Sequence, residues 1–127
     1  MSKRYHKGVH RSRKLLNSSR EAHYRSGWEL AYMQYLDTDP TVLGYFYEAF
    51  YVEYKSNMKS KRMRKYYPDV IIIRTDATIE MIEIKPQCFL TKRINLKKFD
   101  AAKKWCEEHH IEYKIVTEHH LKSLNLI

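Results

Sequence analysis

Two β-branched, apolar runs constrain this chain most: Tyr67-Pro68-Asp69-Val70-Ile71-Ile72-Ile73 and Ile79-Glu80-Met81-Ile82-Glu83-Ile84-Lys85, joined by the polar stretch Arg74–Thr78. Runs of this kind at this separation predict two buried strands closed by a tight turn. A turn centred on Asp76 sets Ile73 opposite Ile79, Ile71 opposite Met81, Asp69 opposite Glu83 and Tyr67 opposite Lys85. Alternate strand residues share a face, so all eight side chains project to the same side. A slip of one residue would send Asp69 and Glu83 to opposite faces.

In that register two carboxylates stand side by side, which is destabilising unless positive charge lies between them. A divalent cation resolves the conflict, because hard ions such as Mg²⁺ take carboxylate and carbonyl oxygens. Asp69 and Glu83 are therefore the expected ligands, with the Ile84 carbonyl as a further one, and Mn²⁺ is expected to substitute. Lys85 projects into the same space. Carboxylates with open metal positions and a neighbouring cation are what phosphodiester hydrolysis requires. Taken singly, Asp69 reads equally well as a turn residue after Pro68, and Glu83 with Lys85 as an ordinary ion pair. Together they embed three charged groups in apolar strands, which is costly without a role.

Charge points to the partner. The chain of 127 residues carries a net +9, and residues 1–20 hold seven Lys or Arg and no acid. A second basic cluster runs from Lys55 to Lys65, and a third takes in Lys92, Arg93, Lys97 and Lys98. Such blocks attract polyanions by releasing counterions, and nucleic acid is the expected partner. Arg11, Arg13, Lys14, Arg25, Lys61, Arg62, Arg64, Lys65, Lys97 and Lys98 are the candidate phosphate contacts, holding the backbone without reading sequence. No apolar run approaches the ~18 residues of a membrane span. Cys88 and Cys106 have neither finger nor disulfide spacing and read as free thiols of a reducing cytoplasm.

The length fits one α/β domain, residues 21–127, preceded by a flexible basic arm over residues 1–20. Ser26 to Leu36 predicts a helix stopped by Thr38-Asp39-Pro40, and Phe46 to Tyr54 a first strand. The two motif strands follow. After the Gln87–Ile94 connection, a helix is expected over Asn95–His109 with a core stripe of Leu96, Phe99, Ala102 and Cys106. Ile111–Val116 predicts a last strand and Glu118–Leu124 a short closing helix. A helix between the motif strands and the last strand demands a crossover, hence a mixed sheet flanked by helices. Glu29 lies at the border of the first helix's apolar side, directed toward the core. Ser26-Gly27-Trp28-Glu29 also fits a capping box, in which Glu29 reaches back to a backbone N–H. Of the aromatic set Tyr45, Phe46, Tyr47, Phe50, Tyr51 and Tyr54, most are expected in the core, although such rings can also stack bases.

Pro68-Asp69, thirteen intervening residues, and then Glu83-Ile84-Lys85, preceded by a helical Glu29, resembles the PD-(D/E)xK nuclease superfamily. The resemblance implies an αβββαβ, restriction-endonuclease-like core, Mg²⁺ dependence and DNA cleavage. Tyr24-Arg25-Ser26-Gly27-Trp28-Glu29, Tyr35-Leu36-Asp37, Ile82-Glu83-Ile84-Lys85-Pro86 and Ile115-Val116-Thr117-Glu118 are similar to the head-completion nucleases of tailed phages. They also resemble, more distantly, TnsA-type transposon endonucleases. By that likeness the catalytic set is Glu29, Asp69, Glu83 and Lys85, and Glu29 becomes a site member as well as a cap. It further implies phage head or portal proteins as partners, the host cytoplasm or the virion as location, and a homodimer if both strands are cut. Two other readings fit the same residues: a TnsA-like recombination nuclease, and a non-catalytic DNA-binding virion protein docked on a portal.

Overall fold

A computed structural model describes residues 7–56 and 62–127. A hairpin of β1 (Gly8–Arg11) and β2 (Glu21–Tyr24) opens the chain and α1 (Gly27–Thr38) follows. Next come β3 (Val42–Tyr47), the hairpin of β4 (Val52–Lys55) and β5 (Met63–Tyr66), and the motif strands β6 (Val70–Arg74) and β7 (Ile79–Ile84). A 3-10 turn at Gln87–Phe89, α2 (Arg93–Glu108), β8 (Glu112–Val116) and α3 (Glu118–Ser123) complete it. The main sheet has the order β3-β6-β7-β8. The crossover through α2 makes β8 parallel to β7, whereas β3, β6 and β7 pair antiparallel. Removing the two accessory hairpins leaves the expected αβββαβ core with its mixed sheet.

The motif hairpin has the expected register: Ile73 pairs Ile79, Ile72 pairs Glu80, Ile71 pairs Met81 and Val70 pairs Ile82. Its two faces pack differently because the side-chain period of a strand is two. Val70, Ile72, Ile82 and Ile84 lie in one core with Tyr32, Met33 and Leu36 of α1 and Leu121 of α3. Met81, on the other face, lies in a second core with Ala102 and Cys106 of α2 and Val52, Tyr54 and Tyr66 of the β4–β5 hairpin. Glu80, buried on the first face, is held by Arg74 and by Lys114. Burial pushes its pKa up, but these two cations outweigh it and keep the carboxyl below its ordinary range.

The structure corrects three sequence expectations. The arm over residues 1–20 is not flexible from residue 8 on, since β1 pairs with β2 and Leu15 is only 1% exposed. The segment also lines the β3 edge: Leu16 N–H donates to the Tyr45 carbonyl at 2.7 Å and Tyr45 N–H to that of Lys14 at 2.9 Å. Gly44 permits the approach, because a Cβ there would meet Leu16 at 2.8 Å. Residues 1–6 lie outside the described ones. Secondly, the expected strand Phe46–Tyr54 is two strands, broken at Glu48, which takes a left-handed φ of 47°. Thirdly, Leu96 faces outward and Asn95 takes its buried place, its side-chain amide donating to the Phe89 carbonyl at 2.9 Å. Asn95, Phe99, Ala102 and Cys106 then recur at helical spacing.

Candidate active site

The site forms where β6 begins and β7 ends. Asp69 precedes β6 by one residue and keeps the register beyond the last paired rung, facing the end of β7. Its Oδ2 accepts the backbone N–H of Ile84 at 2.7 Å. Glu83, 5% exposed, lies on the Met81 side of β7. Its Oε1 accepts the Tyr66 hydroxyl at 2.6 Å, and its Oε2 lies 3.7 Å from Lys85 Nζ. Tyr66 also shares a hydrogen bond of 3.0 Å with the Tyr113 hydroxyl. Two strands and a hairpin thus fix one carboxylate.

Glu29 reaches this place from α1. Ser26 caps the helix, its hydroxyl accepting the Glu29 N–H at 3.1 Å. The Glu29 carboxylate reaches back to accept the Arg25 N–H at 3.1 Å, as a capping acid does, one residue earlier than the simplest box. It is nonetheless 7% exposed and also accepts the Tyr47 hydroxyl at 2.9 Å. One geometry therefore lets Glu29 cap the helix and line the cleft. The two readings of Glu29 do not compete.

A fourth acid was not legible. Glu48 offers a carboxylate oxygen that lies, with one each from Glu29 and Asp69, in a group within 4.8 Å of one another. The left-handed backbone at Glu48 directs it there, its N–H donating to the Asp69 carbonyl at 3.0 Å. A glutamate in a sequence gives no sign of such a backbone. Arg25 pairs with Glu48 at the rim.

Electrostatics describe an unbalanced site. Burial is the main reason that the Asp69 pKa stands well above the carboxylate range, and the charges of Glu83, Glu29 and Glu48 push the same way. Burial likewise raises Glu83, opposed by the Tyr66 hydroxyl and by Lys85 and Lys98. Glu29 is raised by burial too, against the Arg25 amide and the Tyr47 hydroxyl. The three clustered carboxylates of Glu29, Glu48 and Asp69 fit a hard divalent cation, and Glu83, the expected partner of Asp69, lines the same cleft outside that group. All are oxygen ligands; no sulfur or imidazole joins them among the described residues.

An open cleft of about 440 Å³ lies over these acids, Glu48 excepted. Glu29, Asp69, Glu83 and Ile84 share it with the cations Arg25, Lys65, Lys85 and Lys98. Acids at the floor and cations at the rim suit a phosphodiester with its counterion.

The other basic candidates divide. Arg11 is exposed and pairs with Glu21 at 2.7 Å; Arg13, Arg62 and Arg64 are also exposed. Lys97 is half-buried on α2. Lys61 lies outside the described residues. Lys14 does not fit a phosphate contact, since its Nζ donates to the carbonyls of Leu36 at 3.2 Å and Asp39 at 2.6 Å. A cation at a helix C-terminus satisfies the orphan carbonyls there, which is a structural role.

An acid-floored, cation-rimmed cleft at the end of a mixed sheet, with a helical glutamate completing it, defines a nuclease of the restriction-endonuclease-like class. The family model described as "TnsA-like endonuclease N terminal" matches residues 39–118, and the chain belongs to this family. The chain is also similar to the head completion nuclease of Enterobacteria phage T4, at 26% identity over 123 residues, covering 80% of this chain and 81% of that protein. The matched segment includes Glu48, Asp69, Glu83 and Lys85 and begins after Glu29.

Proposed function

We propose that this protein is a divalent-metal-dependent DNA endonuclease that serves phage head completion, in the host cytoplasm or on the virion. The observation that carries the proposal is the Asp69–Glu83–Lys85 grouping at the mouth of β6 and β7, within a chain of the TnsA-like endonuclease family. Similarity to the T4 head completion nuclease supports the phage role and, with it, head or portal proteins as partners.

Asp69 and Glu83 are the residues that would hold Mg²⁺ or Mn²⁺, with the Ile84 carbonyl, Glu29 and Glu48 as further oxygen donors. When bound, such an ion supplies Lewis acidity that offsets charge developing on the scissile phosphate. Lys85 Nζ, 3.7 Å from Glu83, orients the attacking water and steadies negative charge on the phosphoryl oxygens. Tyr66 holds Glu83 in a single rotamer and Tyr47 holds Glu29, so neither acid must reorganise when substrate arrives. Arg25, Lys65 and Lys98 grip the DNA backbone at the rim, and Arg62, Arg64 and Lys97 add positive charge outside the cleft. Cutting both strands would take two such sites, hence two copies of the chain.

Cleavage of supercoiled plasmid with Mg²⁺ or Mn²⁺ tests this reading. The wild-type chain nicks or linearises DNA and EDTA stops it. Glu83→Ala abolishes cleavage, and Lys85→Ala lowers the rate ~10²–10³-fold. Full cleavage by both variants would remove the site. DNA binding without cleavage under either metal would make the protein a binder.

A further inference from the structure

A run of aromatic rings leads from the second core to the cleft and surfaces beside the carboxylates. Trp105 lies 4.8 Å from Phe50, Phe50 stacks on Tyr51 at 6.5 Å, and Tyr51 meets Tyr67 at 5.6 Å, all between ring centroids. The inner end is core. The outer end is not: Tyr51 is 40% exposed and Tyr67, which lines the cleft, is 46% exposed. Lys65 lines the same cleft and holds its Nζ 4.6 Å from the Tyr51 ring centre. Neither ring is needed to close the hydrophobic core.

The geometry points to a stacking platform for an unpaired nucleobase, with Tyr67 as the ring the base covers, Tyr51 as its backing and Lys65 as the phosphate contact. The inference deepens the nuclease reading and rests on it for the position of the scissile phosphate. A base inside a duplex already has both faces covered by its neighbours, so only an extruded, terminal or flap nucleotide can lie on Tyr67. Tyr67 is two residues from Asp69 in sequence and shares its cleft, which sets that nucleotide next to the bond to be cut. A ring already held against another, here tilted 50° to it, loses little freedom on stacking, so its contribution is not spent on ordering the platform. Lys65 supplies charge complementarity to the backbone of the same strand. The substrate class is therefore DNA with unpaired nucleotides at the cleavage point, at ends, flaps or junctions.

The test uses the full chain in EDTA. A blunt duplex is compared with the same duplex carrying a short single-stranded flap whose junction nucleotide is 2-aminopurine. Anisotropy is expected to show about tenfold tighter binding of the flap, and the 2-aminopurine emission to be quenched on binding. Tyr67→Ala erases both the preference and the quenching, whereas Tyr67→Phe, which keeps the ring, retains both. Unchanged preference and quenching in Tyr67→Ala, or no preference in the wild type, overturns the platform. Plasmid cleavage measured alongside separates the two readings. Cleavage without flap preference sinks the platform alone; a Tyr67-dependent preference in a chain that cuts nothing sinks the hydrolase alone.

Discussion

Asp69 Oδ2 accepts the Ile84 backbone N–H at 2.7 Å, so a carboxylate from the start of β6 is stapled to the end of β7. That single bond carries the strand register past the last paired rung and leaves the rest of the carboxylate aimed into the cleft. An asparagine side chain can accept the same N–H without adding charge. Asp69→Asn is therefore expected to raise the unfolding temperature of the metal-free protein at neutral pH, because a desolvated negative charge disappears. The same variant should lose the stabilisation that Mn²⁺ confers on the wild type. Thermal unfolding with EDTA and with Mn²⁺ reads both effects.

The pH dependence has a definite sign. Asp69, Glu83 and Glu29 all have pKa values raised in the folded protein, mainly by burial. The folded state thus holds these protons more tightly than the unfolded chain. Their contribution to stability is fully present below the ordinary carboxylate range and is lost as pH rises through the elevated folded values. The metal-free wild type should lose stability relative to Asp69→Asn as pH climbs from mild acid to neutral. Protons and cation compete for the same oxygens, so stabilisation by Mn²⁺ should grow over that interval.

Tyr66 has no charge and no place in the sequence motif, yet its hydroxyl donates to Glu83 at 2.6 Å. Partners that orient a metal-binding carboxylate typically contribute ~10–100-fold to metal affinity or activity. Tyr66→Phe keeps the ring in the second core and removes only that donor. Calorimetric titration with Mn²⁺ should show weaker binding by about that factor, with the unfolding midpoint in EDTA little changed.

The N-terminal segment tests the fold rather than the chemistry. Leu15 is fully buried beside β3, and Asp37 of α1 accepts the hydroxyls of Ser12 at 2.5 Å and Tyr45 at 2.8 Å. Leu15→Ala should cost ~2–5 kcal/mol in denaturant unfolding, the usual range for a core leucine. Arg13→Ala, on the exposed side of the same segment, should stay within about 0.5 kcal/mol of the wild type.

Much of this arrangement was legible because strand pairing and side-chain alternation are arithmetic. Once the turn is centred on Asp76, the facing of Ile71 with Met81 and of Asp69 toward the end of β7 follows by counting. Glu29 was legible for a similar reason, since helical spacing aims it at the core and Ser26 marks where the helix starts. What escaped is non-local. The break at Glu48 depends on a left-handed backbone that glutamate rarely takes, and its carboxylate finds Glu29 and Asp69 only through the tertiary fold. The N-terminal segment looked like a solvated arm because its charge masked one well-placed apolar side chain, Leu15. Tyr47 reads as a core aromatic and is so buried, and the sequence does not single out Tyr66, but each turns its hydroxyl to an acid lining the cleft.

The most direct test is anomalous diffraction from crystals of the wild-type protein soaked in Mn²⁺. One peak in contact with carboxylate oxygens of both Asp69 and Glu83 is expected, absent from the same soak of Asp69→Asn. A soak that leaves no density there, or a peak held by Glu29, Glu48 and Asp69 without contact to Glu83, would contradict a cation shared by the two motif strands.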